Sequence, residues 1–259
     1  MKNVLIKTTD NLNLSAIIEE TDNKDKIMIM CHGIRGQKYE RGVFPDLAEE
    51  LLKIGVASIR FDFRGHGESE GLDKDVTITK EKEDIESVIK YLKELGYKEI
   101  ILEASSFATA AASLIDYSKY DIKALVIWYG CPDLEITKQG NLFSLENKEI
   151  AERDGFYTSK SVSTGKDFRF GKALFDEVYS IKLYENLSKL DLPIIFVHGK
   201  LDEVVPYEYV VKASEMCKNA QLELIENGNH NFDNNKEAEM ESIGKIVDFV
   251  DDIFVKNIK

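Results

Sequence analysis

Cysteine is scarce in this chain: three residues, odd in number and far apart, at positions 31, 131 and 217. That excludes a disulfide framework and a CxxC zinc site. Four prolines and sixteen glycines are spread over 259 residues. They form no linker that would divide the chain into independent domains. No apolar run approaches the roughly 20 residues that span a bilayer. Met1 to Asp10 alternates polar and apolar residues and has no signal-peptide core. Basic residues are the minority, 34 against 47 acidic ones, for a net charge of −13. Such a surface repels nucleic acid and anionic membrane, and neither is expected as a partner. There are only four histidines, and no His/Asp/Glu cluster has metal-ligand spacing, so no metal or other cofactor is expected. The resulting expectation is a soluble cytoplasmic protein.

What is present is globular: 43% hydrophobic and 31% charged residues. The length suits one large α/β core carrying an insertion. Short apolar runs alternate with helical periodicity, the pattern of a mostly parallel sheet covered by helices on both faces. Val4–Lys7 and Leu12–Glu19 read as an opening hairpin turning near Asn11. Strands are expected at Lys26–Met30, Val56–Phe61, Glu99–Glu103, Lys123–Trp128, Pro193–Val197 and Leu222–Glu226. Helices are expected over Phe44–Leu52 (ending at Gly55), Ile85–Leu95 (ending at Gly96), Phe107–Ile115 and Met240–Phe254. From Asp133 to Leu190 the alternation breaks down. So long a stretch fits a functional insertion or cap. Its aromatics include Phe143, Phe156, Tyr157, Phe168, Phe170 and Phe175, and some of them are expected to line an apolar site.

Ligands of open α/β sheets sit beyond the carboxyl ends of the strands. Three reactive residues follow such ends. Ser106 follows Glu99–Glu103, Asp202 follows Pro193–Val197, and His230 follows Leu222–Glu226. A serine hydroxyl needs an imidazole to take its proton, and the imidazole needs a carboxylate to hold its tautomer. The chain order Ser, Asp, His is that of an α/β-hydrolase. His32 and His66 precede the serine, and His198 lies within the stretch leading to Asp202. Asp191 precedes its strand, at the wrong edge of the sheet, and Glu203 is a weaker candidate than Asp202. Taken singly, His230 reads equally well as a loop histidine and Asp202 as a turn former. Their joint occurrence at three strand ends carries the assignment.

Four segments make the chain resemble the α/β-hydrolase superfamily over nearly its whole length, in particular bacterial cinnamoyl/feruloyl esterase-like serine hydrolases. Cys31-His32-Gly33-Ile34 matches the oxyanion-loop HG motif. The run from Phe61 through Asp62-Phe63-Arg64-Gly65-His66-Gly67-Glu68-Ser69 to Gly71 matches the F-D-x-R-G-x-G-x-S turn. His198-Gly199-Lys200-Leu201-Asp202 onward to Pro206 matches the acid loop, and Gly228-Asn229-His230-Asn231-Phe232 the histidine loop. The turn and the acid loop are quite specific; the other two are weak alone. The resemblance implies one α/β-hydrolase domain over 1–259, a sheet of about eight strands, and a cap at about 133–190. It also implies a small-molecule acyl or aryl ester as substrate. Nothing fixes the oligomeric state, and a homo-oligomer stays open.

One segment departs from the pattern. The elbow G-x-S-x-G reads Ala104-Ser105-Ser106-Phe107-Ala108 here. Its glycines normally relieve crowding at a strained turn, and alanine adds one methyl at each site. Ser106 keeps the nucleophile position, and Ser105 is the fallback if the turn shifts by one residue. By position, the N–H groups of Phe107 and Ile34 form the oxyanion hole. The alternatives are an acyl thioesterase on the same triad and a non-catalytic binding protein of this fold. In the Gly-rich turn, Asp62 and Arg64 are expected to form a local ion pair, and His66 to serve behind the site or at the surface. Cys31 and Cys131 are placed at strand ends, Cys217 on a helix.

Overall fold

Most strands are apolar on both faces, which marks a sheet covered on both sides. β1 (Lys2–Lys7) and β2 (Asn13–Glu19) form an antiparallel hairpin turning through Asn11, whose φ is +70°. There follow β3 (Lys26–Cys31), α1 (Val43–Lys53), β4 (Ala57–Phe61), α2 (Ile78–Glu94) and β5 (Glu99–Ser105). Next come α3 (Ala108–Ala112), α4 (Tyr117–Tyr120) and β6 (Ile122–Trp128). The computed structural model describes residues 1–22, 24–140, 142–161, 165–232 and 235–256; the expected domain bounds, 1–259, run past them at 257–259.

Between β6 and β9 lie α5 (Glu135–Gln139), α6 (Leu145–Asp154), β7 (Phe156–Lys160), β8 (Asp167–Gly171), α7 (Lys172–Ser180) and α8 (Leu183–Leu187). The chain closes with β9 (Ile194–Gly199), α9 (Tyr207–Met216), β10 (Ala220–Ile225) and α10 (Lys236–Lys256). Among the described residues eight strands form one sheet, in the order β1-β2-β4-β3-β5-β6-β9-β10. From β4 to β10 the pairings are parallel, and β1 and β2 are antiparallel additions at one edge.

The period-2 alternation divides the core. Ile101, Val126 and Ile195 point to the face covered by α1 and α10, with Phe44, Leu47, Ile246 and Val250. Leu102, Leu125 and Ile194 point to the other face, under α2, α3 and α9. Thr77 caps α2 by accepting the Lys80 N–H at 3.1 Å.

Three local expectations differ from the structure. The stretch between β6 and β9 is more regular than its sequence suggests. β7 and β8 pair antiparallel as a separate two-stranded sheet, with Phe168 and Phe170 buried. Five-residue strands that pair only with each other leave too short a pattern to read. The helix expected over Phe107–Ile115 is regular only over Ala108–Ala112. Cys217 lies just past the end of α9 rather than on it.

Candidate active site

β5 runs directly into a turn at Ser106, whose φ is +49°. A non-glycine residue seldom adopts this left-handed conformation, and holding it costs about 1–3 kcal/mol. Four hydrogen bonds hold it. Ser106 N–H donates to Trp128 O at 3.1 Å. Ser106 O accepts from Cys131 N–H at 3.0 Å, Thr109 N–H at 3.2 Å and Thr109 Oγ1 at 2.7 Å. The turn is thus clamped between β6 and the start of α3. Ala104 and Ala108 fit into it fully buried.

Asp202 and His230 come from loops after β9 and β10. Gly199 and Gly228 bring these loops together. A Cβ on Gly199 would fall 2.1 Å from Gly228 O, so the backbones touch where no side chain fits. Leu201 N–H donates to Gly228 O at 2.8 Å and ties the two loops. His230 Nδ1–H donates to Asp202 Oδ2 at 2.8 Å. That leaves Nε2 as the acceptor for Ser106 Oγ, 3.1 Å away. The three residues therefore form one continuous hydrogen-bonded chain. Asp202 is buried, and its other oxygen accepts the Val204 and Val205 N–H groups, each at 2.8 Å. Burial alone would raise its pKa, but hydrogen bonds from His198 and His230 hold it well below the usual carboxylate range.

The loop after β3 lies against the serine. A Cβ on Gly33 would sit 3.0 Å from Ser106 Cβ, so any larger residue would crowd the serine. Among the described residues no hydrogen bond takes up the N–H of Ile34 or of Phe107. Both residues border a cavity of about 390 Å³ that also reaches Ser106 and His230. Leu142, Phe143 and Val205 supply apolar wall, and Glu40, Glu203, Arg35 and Arg41 are its charged members. Of the inserted aromatics named from the sequence, Phe143 lines this cavity, stacked on Phe107 at 5.6 Å between ring centres. Phe168, Phe170 and Phe175 are buried packing residues.

Ser105 takes no part in this chain. It is fully buried and shares a 2.5 Å hydrogen bond with Glu103, which also accepts the Cys31 N–H at 3.1 Å. Burial pushes the Glu103 carboxyl well above its usual range. A glutamate inside an apolar strand is the sequence signal of this buried contact, absent from the expectations above. His198, assigned no role from the sequence, has its Nε2 3.1 Å from Asp202 Oδ2.

The expected Asp62–Arg64 pair does not form. Asp62 turns into its own loop, where it accepts Lys38 Nζ at 2.7 Å, Lys38 N–H at 2.6 Å and Glu68 N–H at 2.9 Å. Arg64 points the other way, to Asp84 at 2.7 Å and Asp10 at 2.9 Å. His66 is buried. Its Nδ1–H donates to Arg64 O at 3.0 Å, and its Nε2 accepts Arg35 N–H at 3.3 Å. Burial, aided by nearby His32, lowers its pKa to about 3. Cys131 borders the site, and burial pushes its thiol up to about 12, so it is no nucleophile.

The fold and the strand-end geometry are those of an α/β-hydrolase. No family model matches the chain. Among solved structures it is similar to Est1E from Butyrivibrio proteoclasticus, seen with ferulic acid bound. The two share 26% identity at a TM-score of 0.80, over 98% of this chain and 99% of that one. Among curated proteins it is 25% identical over 212 residues to the mitochondrial palmitoyl-protein thioesterase ABHD10 of Bos taurus. That match covers 80% of this chain and 67% of the relative. It is also 23% identical over 207 residues to the bifunctional esterase/perhydrolase DCH of Acinetobacter calcoaceticus, covering 66% of this chain and 74% of that protein. Among the described residues no helix is long and apolar enough to cross a membrane.

Proposed function

We propose that this protein is a serine hydrolase of carboxylic esters, acting through Ser106, His230 and Asp202. His230 Nε2 takes the Ser106 proton as Oγ attacks the acyl carbonyl. The N–H groups of Ile34 and Phe107 receive the oxyanion, each contributing about 3 kcal/mol to the lowered barrier. His230 then returns the proton to the leaving alcohol, and water releases the acid from the acyl-enzyme in a second round. Asp202 keeps the His230 proton on Nδ1 throughout. The observation that carries this reading is the unbroken Ser106–His230–Asp202 chain at the wall of a mainly apolar cavity. A cavity of about 390 Å³ suits a small to medium acyl or aryl group. We assign residues 133–190 the role of its cap.

A second reading, thioester hydrolysis by the same groups, is favoured by the similarity to palmitoyl-protein thioesterase. Turnover of an oxygen ester and a thioester with one common acyl group separates the two. The triad is tested by intact-mass spectrometry after fluorophosphonate treatment. One covalent adduct is expected on the native protein and on Ser105→Ala, and none on Ser106→Ala. Ester turnover should fall about 10⁴-fold or more in Ser106→Ala. An adduct that persists in Ser106→Ala would refute the assignment. So would a folded native protein that neither labels nor hydrolyses p-nitrophenyl acetate.

A further inference from the structure

Asp202 is served by two histidines, and the triad uses only one of them. His198, near the end of β9, is fully buried. Its Nε2 stands 2.8 Å from Val205 O and 3.1 Å from Asp202 Oδ2. A carbonyl can only accept, so the proton belongs on Nε2. That N–H lies between Val205 O and the same carboxylate oxygen that receives His230 Nδ1–H at 2.8 Å. His198 Nδ1 is buried and has no hydrogen-bond partner among the described residues. Moving the proton to Nδ1 would bury an N–H without an acceptor and leave two acceptors facing a bare nitrogen. The ring is therefore held in one tautomer and one orientation, its single N–H hydrogen-bonded to Val205 O at 2.8 Å and 3.1 Å from the triad's carboxylate.

We propose that His198 is a positioning residue for the reaction: its Nε2–H fixes the Asp202 carboxylate and draws charge from the oxygen that holds His230. The inference rests on the proposed triad for the task it gives Asp202. The carboxylate accepts hydrogen bonds from Val204 and Val205 N–H on Oδ1 and from His230 on Oδ2, and His198 Nε2–H, shared with Val205 O, adds a longer approach to Oδ2 at 3.1 Å. An oxygen shared between two donors is a weaker partner for each. Its hold on the imidazolium of His230 is correspondingly moderated, and the proton taken from Ser106 is returned to the leaving group more readily. Without His198, Oδ2 serves His230 alone and stabilises its charged form more strongly. Other titratable groups also face the pair. Cys131 borders the same cavity, with its thiol pushed up to about 12. The Tyr129 ring stands edge-on to His230 at 5.4 Å, its phenol raised by burial. Glu40 and Glu203 line the cavity that His230 faces. None of them replaces the missing donor on Oδ2.

The test reads protonation directly by NMR titration of the His230 ring in three proteins. His198→Phe keeps a buried ring and removes the donor. His198→Gln restores a donor where Nε2 stood. His230 is expected to titrate about one pH unit higher in His198→Phe and to return toward the native value in His198→Gln. The acid limb of kcat/KM should move with it, a loss of about tenfold at the acid end. Nitrogen chemical shifts of the unsubstituted protein provide the second measurement, and they need no variant to fold. They should show His198 protonated on Nε2 and bare on Nδ1. An unchanged His230 titration in folded His198→Phe would overturn the proposal, as would an Nδ1–H tautomer of His198. Because the titrations require no turnover, an inactive native protein would sink the ester-hydrolase reading and leave these results to judge His198 by themselves.

Discussion

The strand ends that carry Ser106, Asp202 and His230 are joined by main-chain hydrogen bonds, whereas the segment between β6 and β9 is tied to them through side chains. Ser106 is bonded to Trp128 and Cys131, and Leu201 to Gly228, backbone to backbone. In the inserted segment, Arg35 Nη1 reaches Lys160 O at 2.7 Å and Ser161 Oγ reaches Arg35 O at 3.0 Å. Arg169 pairs with Asp73, and Glu177 accepts the Thr79 N–H at 3.0 Å. Backbone bonds tolerate a change of side chain; the second kind of joint is rewritten by one substitution. The first region is thus suited to hold fixed chemistry, and the second to vary what the cavity accepts.

The sharpest way to break this contrast is to remove an inserted ring that bridges both regions. Phe143 is fully buried, stacks on Phe107 and meets Phe170 and Phe175 edge-on at 5.5 and 5.3 Å. Phe143→Ala should cost about 3–5 kcal/mol of stability, since the cavity sits in a packed cluster. Denaturant unfolding followed by the fluorescence of Trp128, the single tryptophan, reports the sheet. Far-ultraviolet circular dichroism reports the whole chain. A loss below about 1 kcal/mol would mean that the segment is not packed as a continuation of the core.

A smaller effect probes the rigid side alone. Glu103 is fully buried beneath the elbow, and its folded-state pKa is raised by burial. In the unfolded chain it ionises near the usual value of about 4.3. Between that pH and the raised native pKa, the unfolded state binds fewer protons than the native state. Stability therefore declines as pH rises through this window, by about 1.4 kcal/mol per unit for this group. Glu103→Gln preserves both contacts: the amide N–H can donate to Ser105 Oγ, and the amide oxygen can accept the Cys31 N–H. The variant should match the native protein near pH 4 and exceed it increasingly above pH 5. Parallel urea-midpoint curves for the two proteins across that range would contradict this account.

The same contrast explains what the sequence disclosed. Ser106, Asp202 and His230 could be singled out because each follows a strand in the chain order of the α/β-hydrolase fold, and the structure brings all three within hydrogen-bond reach. The sheet was legible because strands buried on both faces read as continuous apolar runs. Side-chain direction was not. Asp62 and Arg64 are two residues apart yet take partners in opposite directions, because the turn after β4 rotates between them. His198 reads only as the first residue of the stretch leading from the strand to Asp202, and nothing in its spacing says that Nε2 would meet Asp202. The β7–β8 pair escaped because its pairing is with itself and β7 has no buried residue to mark an inward face.

The smallest expected effect tests the joint between the two regions. Arg35 follows Ile34 directly and is the point where the hairpin grips the loop proposed to hold the oxyanion. Its Nη1 donates to both Lys160 O and Ser159 Oγ, at 2.7 and 3.1 Å. Lysine keeps the charge, but its ammonium on a shorter, more flexible stem does not hold a donor where the rigid guanidinium places Nη1. One such bond is worth about 0.5–1.5 kcal/mol. If the hairpin governs only what enters the cavity, Arg35→Lys should raise KM about threefold to tenfold and leave kcat within about twofold. Fluorophosphonate labelling, which depends on the serine and not on a bulky acyl group, should be unchanged. A fall in kcat with KM constant would mean instead that the hairpin holds the Ile34 N–H in place. The inserted segment would then belong to the chemistry as much as to selection, and the division between the two regions would fail at this residue.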